Sequence, residues 1–308
     1  MMPLEMAQKI TLEALNRILA SIDAARNGQA LYALLSSFCF AGLLLAMAES
    51  ALARGDSLWG SIWAVVGVGV AFVGVNTTGL LLMDQARGQA VRDVTDALFD
   101  ALRCAPRVLA CLLLVILLAG GAVAALLALT WSAARLPWVG APLFALAVPL
   151  GVVMLGLMGF VGLVLVGPLT GPSVWTGHSA LATARMLWRQ LRHGLPEAAL
   201  LMAGVLVLTG AVTAAISFVV ISGGRAMALL AVWGSGIDVP AQQLMAGLFG
   251  YGLRSLGAAG APVAGTPLGL AALVGGGVVF AVALVLPTLI YLRGCCAVYL
   301  ALQDGVAA

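Results

Sequence analysis

The stretch 178–202, HSALATARMLWRQLRHGLPEAALLM, carries two patterns at once. Leu181, Ala184, Leu187, Trp188 and Leu191 recur at helical spacing as an apolar face, while Arg185, Arg189 and Arg192 form a basic one at spacings of four and three. His193 falls in the last turn, Gly194 suits a left-handed cap, and Pro196 with Glu197 opens the next helix with an acid near its positive end. From there the chain is apolar to about Ile221. The pattern predicts a helix lying on a membrane surface and feeding a helix that crosses it.

Composition extends this reading to the whole chain. Of 308 residues, 63% are hydrophobic and 9% charged, with a mean hydropathy of +1.12. A soluble domain carries about 25% charged residues because water must solvate its surface, so lipid is the main solvent here. The net charge is only +3 and the basic patch of a nucleic-acid binder is missing, which excludes nucleic acid as a partner. The five cysteines, Cys39, Cys104, Cys111, Cys295 and Cys296, have no metal-ligand or redox spacing, and no structural disulfide is expected. The N-terminal residues lack the short apolar core and small-residue site of a cleaved signal peptide.

Working outward, the apolar segments predict an all-α integral membrane protein of six transmembrane helices, at 31–48, 59–83, 106–130, 138–166, 196–221 and 268–291, forming one membrane domain over 1–308. An N-terminal interfacial helix within 1–28 has Leu12, Leu15, Ile18, Leu19 and Ile22 on one face and ends at Gly28. A second surface helix is expected from Asp84 to Arg103, with Pro106 starting the third crossing. Pro149 is expected to kink or tilt the fourth crossing, and Pro168 and Pro172 to mark where the chain leaves the membrane. Residues 222–267 read as a long connection with Leu244, Leu248 and Tyr251 on a short interfacial helix, and the tail after Tyr291 as interfacial. Gly67, Gly69 and Gly74, and Gly151, Gly156, Gly159 and Gly162, are expected to let neighbouring helices approach closely.

The order surface helix, crossing, crossing occurs three times, and aligning Ala105-Pro106 with Leu195-Pro196 gives a repeat offset of ninety residues. With six crossings, eleven of the fifteen basic residues, Arg185, Arg189 and Arg192 among them, share one side, leaving Arg54, Arg135, Arg225 and Arg254 on the other. The positive-inside rule then places both termini in the cytoplasm of a bacterial inner-membrane protein.

The segments Pro172-Ser173-Val174-Trp175-Thr176-Gly177 and Ala184-Arg185-Met186-Leu187-Trp188, with Asp84 to Pro106 and Tyr291-Leu292-Arg293, resemble a group of bacterial six-helix membrane proteins. These are similar to the membrane domain of glycerophosphoryl diester phosphodiesterases. The resemblance implies a six-helix membrane fold. Thr176 stands where that group usually has an acid and Leu187 where it usually has a serine, and no phosphodiesterase domain or catalytic residue carries over.

Catalytic patterns are missing. His178 and His193 are the only histidines, too few to expect a metal, and Gly177-His178-Ser179-Ala180-Leu181 lacks the second glycine of a nucleophile elbow. No phosphate-binding glycine loop occurs, so neither cofactor nor enzymatic activity is expected. The six apolar segments hold no ionisable residue in their central parts, which weighs against ion-coupled transport. The expected function is a non-enzymatic inner-membrane scaffold or accessory subunit of a larger assembly, touching other membrane subunits and lipid; the alternative is a permease or channel for a lipid-like or small apolar solute. Arg185, Arg189, Arg192 and Trp188 are the residues expected to contact anionic headgroups or a docked partner.

Overall fold

The computed structural model describes residues 16–136, 138–235 and 267–307. All regular structure in them is helical, and six helices are long and apolar enough to cross a membrane. The protein is therefore an all-α, multi-pass membrane protein. After a 3-10 segment at Ala20–Arg26 come α1 (Gly28–Ala53), α2 (Ser57–Ala86), α3 (Val94–Arg135) and α4 (Gly140–Val161). A π-helical turn at Gly162–Val166 leads into α5 (Gly167–Trp175), followed by α6 (Ala180–His193), α7 (Leu195–Ser235) and α8 (Pro267–Ala307). The chain divides into two compact units. One comprises the described residues of Met1–Ile18, Leu102–Gly204 and Gly294–Ala308, and the other those of Leu19–Ala101 and Val205–Arg293.

Within the second unit, α1 and α2 form an antiparallel hairpin. Asn27 caps α1 by accepting the Ala30 N–H on its side-chain oxygen, and its Nδ2 donates to Gln85 Oε1 at 3.2 Å, tying the start of α1 to the end of α2. The helix boundary thus falls at Asn27, one residue before the expected stop at Gly28, because Asn satisfies orphan N–H groups that Gly cannot. Gly67 and Gly74 let α2 approach α1 as expected: a β-carbon at Gly67 would sit 3.2 Å from Leu44 Cβ, and one at Gly74 would overlap the Ser37 side chain. Gly60 does the same against Leu52, whereas Gly69 faces open space.

Several expected boundaries are displaced, all in the direction of longer helices. The surface helix and third crossing are one 42-residue helix with Pro106 inside it, and Asp84 belongs to the end of α2. Proline removes one backbone hydrogen bond, but ending a helix orphans four carbonyls; in lipid the single loss is the smaller one. At about 1.5 Å per residue α3 is roughly 63 Å long, about twice the hydrocarbon core. Likewise Pro168 and Pro172 do not end the fourth span, which stays helical from Gly140 to Trp175. The π-helical turn precedes Pro168, with the Gly167 N–H bonded to the Gly162 carbonyl five residues back, so the widened turn absorbs the donor that proline lacks. Pro149 also lies within an unbroken helix.

The fifth crossing continues to Ser235, so residues 222–235 of the expected long connection are helical; Leu244, Leu248 and Tyr251 lie outside the described residues. The tail is corrected most. It continues α8, and Cys295, Cys296, Ala297, Val298 and Tyr299 are almost fully buried rather than interfacial. Arg293 now falls within the apolar span Ala281–Gln303, so the sixth span does carry an ionisable residue. Of the N-terminal face, Leu12 and Leu15 lie outside the described residues, Ile18 is buried against Gly204, and Leu19 and Ile22 are half exposed. The repeat is uneven in its connections, since α3 runs through Pro106 whereas Gly194 separates α6 from α7.

Candidate membrane-interface site

Helix α6 is set by its two ends. Gly177, at φ +95°, gives the left-handed residue that closes α5, with Gly177 N–H bonded to Val174 O and His178 N–H to Ser173 O. Ser179 then caps α6 by accepting the Ala182 N–H. At the other end Gly194 is not left-handed as expected: its φ is −126°, and Gln190 Nε2 donates to its carbonyl instead. The Gly194 N–H bonds to the Gln190 carbonyl and its own carbonyl accepts the Ala198 N–H, so the chain passes through Gly194 directly from α6 into the first turn of α7.

The face of α6 that packs inward is Thr183 and Leu187. Leu181 and Trp188, expected on the apolar face, are 57% and 55% exposed and lie on the same side as Arg185, Arg189 and Arg192, which are also exposed. At 100° per residue, Leu181, Trp188, Arg192, Arg185 and Arg189 fall in an arc of about 100°. The Arg192 guanidinium sits 4.6 Å over the Trp188 ring, a cation–π contact in which the negative face of the indole attracts the cation. No acidic group forms an ion pair with the three arginines among the described residues.

Behind this face lies a polar network that the sequence reading missed. The Ser173 and Thr183 hydroxyls meet at 3.0 Å, both buried. Thr176 Oγ1 donates to the Ser173 carbonyl at 2.7 Å, which leaves its oxygen to accept from Tyr299 O–H at 3.0 Å and from His178 Nδ1 at 2.9 Å. His178 Nδ1 also lies 3.2 Å from the Ser173 carbonyl, an acceptor only, so Nδ1 carries the proton. Gln303 Nε2 donates to Tyr299 Oη at 2.6 Å. Through Thr176 and Tyr299 the network fastens the α5–α6 turn to α8. Tyr299 and Gln303 stand one helical turn apart in the sequence, but nothing there reveals their partner 123 residues away.

A second cluster belongs to the other unit. Gly88, at φ +67°, closes α2, and the chain turns back so that Arg92 grips Asp84 through Nε at 2.7 Å and Nη2 at 2.8 Å, while its Nη1 reaches Asp100 at 2.9 Å. The Asp84 side chain is 6% exposed, against 33% for Arg92 and 44% for Asp100. Hydrogen bonding to Asp84, followed by the charge of the two acids, raises the Arg92 pKa against the opposing effect of burial. Beside it, Arg26, Asn27, Gly28, Gln29, Gln85 and Val91 line a shallow cavity of about 540 Å³.

The glycines expected to pack α4 divide. Gly151 lies against Leu126, 3.8 Å from the position of its absent β-carbon, while Gly156, Gly159 and Gly162 face open space. Among the described residues no group of three or more His, Cys, Asp or Glu is placed to hold a metal. Comparison of the chain with known protein families, with characterised proteins and with solved structures finds no match.

Proposed function

We propose that the protein is a non-enzymatic scaffold or accessory subunit of a larger membrane assembly, resident in a bacterial inner membrane with both termini in the cytoplasm. The observation that carries this reading is the uncovered helix surface. In the most apolar windows of Val94–Arg135, Gly140–Trp175 and Leu195–Met227, 0%, 11% and 6% of the residues are buried, against 61% for Ala281–Gln303. Lipid can cover such faces, but Gly156, Gly159 and Gly162 leave a smooth strip on the fourth span, and strips of this kind let another helix approach closely enough for dispersion to hold it.

The alternative, a permease or channel for a lipid-like or small apolar solute, is favoured by Arg293, since an ionisable residue inside an apolar span commonly marks a pathway. Purification in mild detergent separates the two. A complex with further membrane subunits supports the scaffold; a lone monomer that gives solute flux in proteoliposomes replaces it with the permease.

A further inference from the structure

The mixed face of α6 calls for an occupant. The helix begins five residues after one membrane span and ends two before the next, at Trp175 and Leu195, so chain connectivity holds it at the level of the headgroups. Water solvates Leu181 and Trp188 poorly, and hydrocarbon solvates Arg185, Arg189 and Arg192 poorly; the headgroup layer accommodates both, with apolar rings at the acyl boundary and guanidinium groups reaching the phosphates. With no acid paired to the three arginines in the described residues, the geometry points to a site for anionic phospholipid on this face. Its phosphate is held by Arg185, Arg189 and Arg192, and Trp188, under Arg192, marks the depth. A glycerol phosphate diester bearing net negative charge fits; a zwitterionic headgroup brings its own cation against the arginines and fits less well. This site goes beyond the scaffold reading and does not depend on it.

The test is Trp188 fluorescence in the full chain reconstituted with lipids brominated on the acyl chain near the glycerol. The Trp188 signal is the difference between wild type and W188F. Brominated phosphatidylglycerol, as a minor component in phosphatidylcholine, quenches it more strongly than brominated phosphatidylcholine at the same fraction. The preference falls about five-fold for each charge removed among R185Q, R189Q and R192Q, persists in the triple lysine variant, and declines with added salt. Equal quenching by the two lipids overturns the proposal. So does a Trp188 shielded from both, which assigns the face to a protein partner instead. Should the triple glutamine variant fail to fold, the salt dependence of the wild type decides: a preference unmoved by salt overturns the charge argument.

Discussion

Replacing Arg92 by Met should destabilise the protein far more than removing either the charge or the contact alone suggests. The substitution leaves Asp84, at 6% side-chain exposure, with its carboxylate stripped of two hydrogen bonds of 2.7 and 2.8 Å. Breaking a buried ion pair from one side costs about 3–5 kcal/mol because the remaining charge is desolvated without compensation. Arg92 is one-third exposed, so water screens the pair, and roughly half of that figure, about 2 kcal/mol, is the working value. In a chain of this length that corresponds to a fall in Tm of about 3 °C. Asp100 is 44% exposed and meets Arg92 on the solvent side, so D100N should cost about 0.5 kcal/mol and about 1 °C. In D84N/R92M no uncompensated charge remains, and the double variant should melt above R92M. The assay is thermal unfolding in detergent followed by exposure of the buried cysteines to a thiol-reactive dye. Equal losses for R92M and D100N, or additive losses in the double variant, would refute the reasoning. Since bonding to Asp84 raises the Arg92 pKa, the arginine contribution is fully present below its ordinary pKa and is lost only as pH rises through the raised folded value. The gap between wild type and R92M should therefore hold between about pH 7 and 9.

Three further outcomes follow from the packing and topology. G74A pushes a methyl into Ser37 and should lower Tm by about 2–5 °C, an overpacking cost of about 1–3 kcal/mol, with S37G/G74A recovering much of it; G156A, which meets nothing within 4 Å among the described residues, should leave monomer stability unchanged or slightly raised. Y299F removes the hydroxyl shared by Thr176 and Gln303 and should cost about 1–2 kcal/mol in the same melting assay. Impermeant thiol labelling of R54C and R185C in oriented vesicles should modify them from opposite sides, as three spans separate them; labelling from one side would refute six crossings.

How far the fold could be read before folding is clearest at the prolines. Six apolar runs near 20 residues announce six spans because only that length covers the hydrocarbon core, and no neighbour needs to be known. Pro106, Pro168 and Pro172 looked like boundaries on the rules that hold in water, where a freed carbonyl finds a solvent donor. In lipid the chain keeps its helix and absorbs the loss, in one case through a π-helical turn. The tail misled for a related reason: residues 292–308 mix apolar and polar groups as an interfacial segment does, and only the packing makes Cys295 to Tyr299 core.

The sequence by itself determined the solvent, the helical class and the number of apolar spans, since these depend on local composition and length. It also marked Arg185, Arg189, Arg192 and Trp188 as one group. Only the tertiary structure decided which face of α6 turns inward, because Thr183 finds Ser173 and Leu187 finds the core, while Leu181 and Trp188 are left outside with the arginines. The same holds for Arg92 with Asp84 and for Tyr299 with Thr176. A polar side chain inside an apolar protein goes where its hydrogen bonds can be completed, and that place is defined by residues far along the chain.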